Sequence, residues 1–212
     1  MRQILSTAGI AALLMLPFAA ASFAQDAGRP GAGRWEVTAF PAGGIFFTEG
    51  DRADAADFGE YEIGASVTYN FNRRLGFEGE FGGGISVDQT LRLAGTTLSN
   101  ASVPHSLAYN GNVIYNIVGS DRALVPYVAG GAGGLTLLSR DRVRSLLADD
   151  ETFFTGNVGG GIRWFPSRHW GVRADYRFVA VKSKDDAPSF FGLEESRFGH
   201  RVFGGIVLTG GH

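Results

Sequence analysis

His105-Ser106 and a group of glycine clusters are the residues from which chemistry would first be built. A hydrolase needs a nucleophilic Ser with a His base in hydrogen-bond reach and a carboxylate that orients the base. His105 and Ser106 are consecutive, and on a strand consecutive side chains point to opposite faces, so the two cannot meet. His169 falls in a turn, His200 in the last extended segment and His212 at the end, and the four histidines share no metal-ligand spacing. Gly82-Gly83-Gly84, Gly130-Gly131, Gly133-Gly134 and Gly159-Gly160-Gly161 have the composition of phosphate cradles, but none opens a helix. They read instead as marks of sheet curvature or close strand approach. No cysteine is present, which excludes a thiol nucleophile and a thiolate metal site. No catalytic, cofactor or metal residue is therefore assigned, and the expectation is a protein that is not an enzyme.

The elements that would have to position any site point to one architecture. The 212 residues suffice for one domain, or two small ones at most. Their 32 glycines are about twice the usual share and argue against a helical core. Acidic and basic residues are interspersed, with a net charge of −2, and only two positions are Lys, so nucleic acid is not an expected partner. Met1-Arg2-Gln3 followed by the apolar stretch Ile4–Ala21 and Ser22-Phe23-Ala24 reads as a signal peptide cleaved after Ala24. The expected organisation is residues 1–24 as signal peptide, 25–33 as a short segment, and 34–212 as one domain. Ser145-Leu146-Leu147-Ala148 is the one stretch with the composition of a short helical turn.

Past the signal segment the chain alternates at period two, the signature of strands. In Asp57–Phe71 the residues Tyr61, Ile63, Ala65, Val67, Tyr69 and Phe71 share one face, with Glu60, Glu62, Ser66, Thr68 and Asn70 on the other. Leu75–Ile85 repeats the pattern with Glu78 and Glu80 on its polar face, and Asn72-Arg73-Arg74 between the two makes a hairpin. Trp35, Val37 and Ala39 oppose Glu36 and Thr38; Tyr109, Val113 and Tyr115 oppose Asn110, Asn112 and Asn116. Phe154, Val158 and Trp164 oppose Arg163; Trp170, Val172 and Tyr176 oppose Arg173, Asp175 and Arg177; Val202, Ile206 and Leu208 oppose Arg201. In Leu124–Leu138 the facing is ambiguous, because Gly and Ala dominate.

Eight strands result, each long enough for the ~9–11 residues that cross a bilayer when tilted. Their connections alternate. Asn72–Arg74, Val118–Arg122 and Pro166–His169 have five residues or fewer, whereas Thr48–Ala56, Val87–Pro104, Ser139–Glu151 and Lys182–Ser196 have nine to eighteen. An up-and-down barrel puts all short turns at one rim and all long loops at the other, the asymmetry of outer-membrane barrels. The long links hold isolated charges such as Asp51, Arg52, Asp54, Arg140, Asp141, Asp149, Asp150 and Glu151. Trp35, Tyr61, Tyr69, Tyr109, Tyr115, Trp164, Trp170 and Tyr176, with Tyr127, are expected in interfacial aromatic belts. Glu60, Glu62, Glu78 and Glu80 face Arg163, Arg173, Asp175, Arg177 and Arg201 across an interior that side chains alone can fill. These banks are expected to interdigitate as a lumen ionic network and plug the barrel, gating it if their pairing can rearrange.

The signal segment, the eight alternating strands and runs such as Val125-Pro126-Tyr127-Val128 and Gly171-Val172-Arg173-Ala174-Asp175-Tyr176-Arg177 resemble the small outer-membrane β-barrel family, which includes the membrane domain of outer-membrane protein A and porin-like surface antigens. The resemblance covers Arg34–Leu208. It implies an all-β, eight-stranded antiparallel transmembrane barrel in a Gram-negative cell envelope. It also implies insertion by the barrel assembly machinery, membrane lipids and lipopolysaccharide as surroundings, and a role in envelope integrity, adhesion or passage of small solutes by a monomer. Family members often end in an aromatic residue, whereas this chain ends Leu208-Thr209-Gly210-Gly211-His212. Two other readings fit period-two alternation: a secreted lipocalin-like barrel, for which Gly33-Arg34-Trp35 is a weak signature, and an outer-membrane lipid hydrolase. In the lipocalin the faces invert, so that the charges lie outside and the aromatic residues line a cavity.

Overall fold

The computed structural model describes residues 31–47, 58–86, 89–93, 96–101, 105–138, 150–182 and 197–210. The signal segment, most of the long-link charges and the Ser145–Ala148 stretch lie outside them. The strands, in chain order, are β1 (Arg34–Phe47), β2 (Phe58–Asn70), β3 (Leu75–Ser86), β4 (Gln89–Leu93), β5 (Thr96–Ala101), β6 (His105–Asn116), β7 (Leu124–Leu138), β8 (Glu151–Trp164), β9 (Trp170–Val181) and β10 (Arg197–Gly210).

Eight of the ten close into an antiparallel barrel in the order β1-β2-β3-β6-β7-β8-β9-β10, with β10 returning to β1. Closure is direct: Val37 pairs with Val67 on one side and with Leu208 on the other. Each barrel strand is 12 to 15 residues long, and every one has a hydrogen-bonded neighbour on both edges. Lipid offers backbone groups no partner, so only such a closed sheet can span it. Proline, which lacks an N–H, is tolerated in sheets at bulges. Pro41 accordingly sits where the β1 register slips against both β10 and β2.

The structure differs from the sequence expectation in the link at 87–104. That segment holds a small antiparallel hairpin, β4 with β5, which among the described residues is a two-stranded sheet of its own. Its strands have five and six residues, with Leu91 and Leu93 alternating with Thr90 and Arg92, a pattern too short to stand out from a loop. The expected link Ser139–Glu151 is shorter by one residue, because Glu151 already pairs with Leu137.

The short turns are built by local chemistry. Asn72 Oδ1 accepts the backbone N–H groups of Arg74 at 2.8 Å and Leu75 at 2.9 Å, an Asx turn that closes the β2–β3 hairpin. Gly119, at φ 95°, takes the left-handed conformation that the β6–β7 turn requires. Neighbouring turns are also stitched together: Ser120 N–H donates to the Arg73 carbonyl at 2.6 Å, and Thr209 N–H donates to the His169 carbonyl at 2.9 Å.

A ring bonded on every edge should resist detergent until heated. The unheated protein is expected to migrate on a denaturing gel at a position different from the boiled protein. Identical mobility would mean that the ring does not close.

Candidate functional site: an ionic lumen

The side chains sort by charge between the two surfaces of the ring. Val37, Ile63, Val67, Phe77, Phe81, Val113, Val128, Val158, Val172, Val202, Ile206 and Leu208 point outward and are exposed. Glu36, Glu60, Glu62, Glu78, Glu80, Asp175, Arg163, Arg173, Arg177, Arg197 and Arg201 point inward, and none is more than 6% exposed. This is the reverse of a lipocalin, whose apolar face lines a cavity. An exterior this apolar needs lipid around it.

The lumen is filled in tiers. Nearest the short turns, Arg163 on β8 pairs with Glu36 on β1 and donates to Asn116 Oδ1. Asn70 Nδ2 donates to the other Glu36 oxygen at 2.7 Å. Val125, Phe165 and Val207 form an apolar cluster at this end.

The central tier is built on Glu78, which is fully buried. Arg173 pairs with it from β9, four strands away round the ring, and Arg177 Nη2 reaches Glu78 Oε1 at 3.3 Å. Ser66 and Thr68 hydroxyls donate to Glu78 Oε2 at 3.1 and 3.2 Å, and Asn112 Nδ2 donates to Oε1 at 3.2 Å. Asp175 lies between the two arginines, taking Arg173 Nη2 and Arg177 Nε at 2.7 Å each. Two carboxylates thus balance two guanidiniums, and three neutral donors satisfy what remains on Glu78.

Above that tier, Arg201 grips Glu62 through Nε and Nη2 at 2.6 Å each, a bidentate pair, and also binds Glu80. Ser106 donates to Glu60 Oε2 near the long-loop end. Glu60 Oε1 and Glu80 Oε2 have no hydrogen-bond partner among the described residues. Gly84 makes room for this arrangement, because a Cβ there would fall 1.9 Å from Glu60 Oε2. Part of the glycine content therefore serves as niches for lumen carboxylates, alongside close strand approach.

Tyr127 corrects the sequence expectation. It stands inside rather than in a belt, 2% exposed, with its hydroxyl donating to Asp175 and accepting from Arg173 Nε at 2.6 Å. The reason is the strand opposite: Gly161 pairs with Tyr127, and a Cβ on Gly161 would lie 2.5 Å from the Tyr127 oxygen. Glu36, Tyr127, Arg197 and the asparagines Asn70, Asn112 and Asn116 are lumen residues beyond those singled out from the sequence. For Glu36 and the asparagines the signal was available, since they lie on the polar faces of their strands.

The eight expected belt residues all face outward. Trp35, Tyr69, Tyr115, Trp164 and Trp170 stand at the short-turn rim, where the Trp35 and Tyr69 rings lie 4.7 Å apart. Tyr61, Tyr109 and Tyr176 stand higher. Tyr176 is six residues along β9 from Trp170, about 15 Å of barrel height at the usual rise and tilt. That is inside the ~25 Å apolar band, and hydroxyls there take local partners. Tyr61 donates to the Pro41 carbonyl, and the Tyr176 hydroxyl lies 2.7 Å from His200 Nδ1. His105 and Ser106 occupy successive positions on β6, with Ser106 turned inward onto Glu60.

Removing one partner of a buried pair leaves the other charge uncompensated, which typically costs about 3–5 kcal/mol. Arg173→Ala should therefore lower the unfolding free energy by about that amount. Glu36→Met combined with Arg163→Met should cost less than either single change. Guanidinium unfolding of the reconstituted barrel, followed by tryptophan fluorescence, measures both.

No curated protein matches the chain. Solved structures that resemble it are the N-terminal β-barrel domain of OprF from Pseudomonas aeruginosa, at 14% identity and TM-score 0.53, and OprG from the same organism, at 13% and 0.54. Neisserial surface protein A resembles it at 11% and 0.56. The matches cover 85%, 87% and 85% of this chain and 100%, 99% and 99% of those chains, respectively, and at such identities they show the fold. A family model, the outer membrane protein beta-barrel domain, matches residues 9–196. With that match across most of its length and an apolar exterior around a charged lumen, the chain belongs to the outer membrane protein β-barrel family and resides in the outer membrane.

Proposed function

We propose that the protein is a structural and surface component of the cell envelope, a barrel plugged by its own side chains that passes small solutes at most. The observation that carries this is the cross-lumen pairing: Arg173 with Glu78, Arg201 with Glu62 and Glu80, and Arg163 with Glu36 occupy successive tiers of an eight-stranded interior. A water-filled pore needs charges lining a wall; here they meet in the middle.

In this reading the barrel is a monomer inserted by the barrel assembly machinery. Its outer wall meets membrane lipids and lipopolysaccharide, and its long loops face the exterior. It is not an enzyme: Ser106 is engaged with Glu60, and the residue before it lies on the opposite face of β6. The ionic tiers are structural, and they gate small-ion leakage where Arg173 can exchange partners.

Planar-bilayer recording tests both parts. Wild-type protein should show no large steady conductance, and Arg173→Ala should raise the frequency of small openings. Large wild-type pores would refute the plug, and unchanged currents in the variant would remove the gate.

A further inference from the structure

The rim at the short turns carries a charge that the lumen network does not use. Arg34, Arg73, Arg74, Arg122 and Arg168 lie there, all exposed except the half-buried Arg34, and Asp121 is the one carboxylate among the described residues of those turns. It engages Arg73 at 3.5 Å, a surface pair that neutralises little. In the sequence of the four long links the balance is the reverse. Residues 48–57, 87–104, 139–151 and 182–196 together contain thirteen acidic and seven basic residues. The described residues of the short-turn rim thus carry a net positive charge.

We propose that this arginine collar binds the phosphodiester headgroups of anionic phospholipids in the periplasmic leaflet. Three observations place the guanidiniums at headgroup depth. Arg74 Nη1 donates to the hydroxyl of the rim residue Tyr115 at 2.8 Å, so charge and interfacial ring share one level. Arg34 directly precedes Trp35, and Arg168 lies two residues before Trp170. The backbone beneath the collar is also held. The Arg73 carbonyl accepts from Ser120 N–H at 2.6 Å, the Arg74 carbonyl from Asn116 N–H at 2.7 Å, and the Arg168 carbonyl from the Thr209 hydroxyl at 2.5 Å. Guanidinium groups donate bidentately to phosphate oxygens, and a fixed ring of them favours an anionic headgroup over a zwitterionic one.

The inference rests on the barrel's placement in lipid, and one measurement separates failure of the two. All three tryptophans of the chain, Trp35, Trp164 and Trp170, stand at this rim and face outward. Quenching of their fluorescence by brominated phosphatidylglycerol or brominated phosphatidylcholine therefore reports the lipid beside the collar. In mixed vesicles at low salt, the wild-type barrel should prefer phosphatidylglycerol, by up to about fivefold per engaged arginine. The preference should fade in 0.5 M salt, where the screening length falls to roughly 4 Å.

Substituting Arg73, Arg74, Arg122 and Arg168 together by Gln should bring the preference close to one, and Lys at the same four positions should retain most of it. Arg122→Gln and Arg168→Gln singly carry the test if the quadruple variant does not give the unheated gel band of a closed barrel. Equal quenching by the two lipids in wild type, or a preference that survives the Gln changes, overturns the proposal. So does arginine-dependent sedimentation with peptidoglycan sacculi in the absence of any lipid preference. Absence of quenching by either lipid would instead overturn the membrane placement.

Discussion

A ring of eight strands has room inside for side chains and for little else, and that width governs the rest of the structure. Because the ring closes, every inward position looks across the lumen at another strand. An ionic residue placed there cannot reach bulk water and must find its counter-ion on the far wall. The central tier meets this condition most fully. Glu78 on β3 faces Arg173 on β9, diametrically opposite in the ring, and neutral donors from β2 and β6 occupy its remaining lone pairs. Where the condition is met less fully, at Glu60, the group stands at the long-loop end and leans on Ser106.

The same geometry explains why the exterior is so plain. In lipid the outer wall gains nothing from polar chemistry, so valine, isoleucine and phenylalanine cover it; five of the rings that carry a polar atom gather at the short-turn rim, and Tyr61 and Tyr176, higher up, bond to a near neighbour. The inside carries specificity and the outside carries solubility in the bilayer. One period-two pattern encodes both, and the pairing of β1 with β10 turns the two faces of a sheet into an inside and an outside.

Much of this was legible in the residues. The eight spanning strands and the residues that share each face follow from alternation, and strand length with the split into short and long connections is what turns the charged face inward rather than outward. The structure adds what alternation cannot carry. In β7, Gly and Ala give no contrast between faces, and Tyr127 turns inward because Gly161 across from it leaves a niche, a fact of pairing rather than of local sequence. The β4–β5 hairpin is hidden by its length. Periodicity put Glu36 on the polar face of its strand but did not show that Arg163 would take it, since that depends on which tiers meet when strands three apart round the ring and 127 residues apart in sequence come face to face.

The ionic tiers also discriminate against wrong structures. Arg163 and Glu36 are 127 residues apart, Arg201 and Glu80 are 121 apart, and Arg173 and Glu78 are 95 apart. None of these pairs joins strands adjacent in the sheet, so none can form in a hairpin or an open sheet; each becomes available only as the ring closes. A slip of one residue in β9 would turn Arg173, Asp175 and Arg177 outward together, since side chains alternate between faces. An arginine at the lipid midplane costs about 2–4 kcal/mol, so such a slip would carry a penalty for every charge on the strand while emptying the centre of the lumen. Buried ion pairs contribute little net stability against well-packed apolar residues. Their weight here falls on the difference between the closed, correctly registered ring and its neighbours, the place where a two-faced sheet in lipid is otherwise least determined.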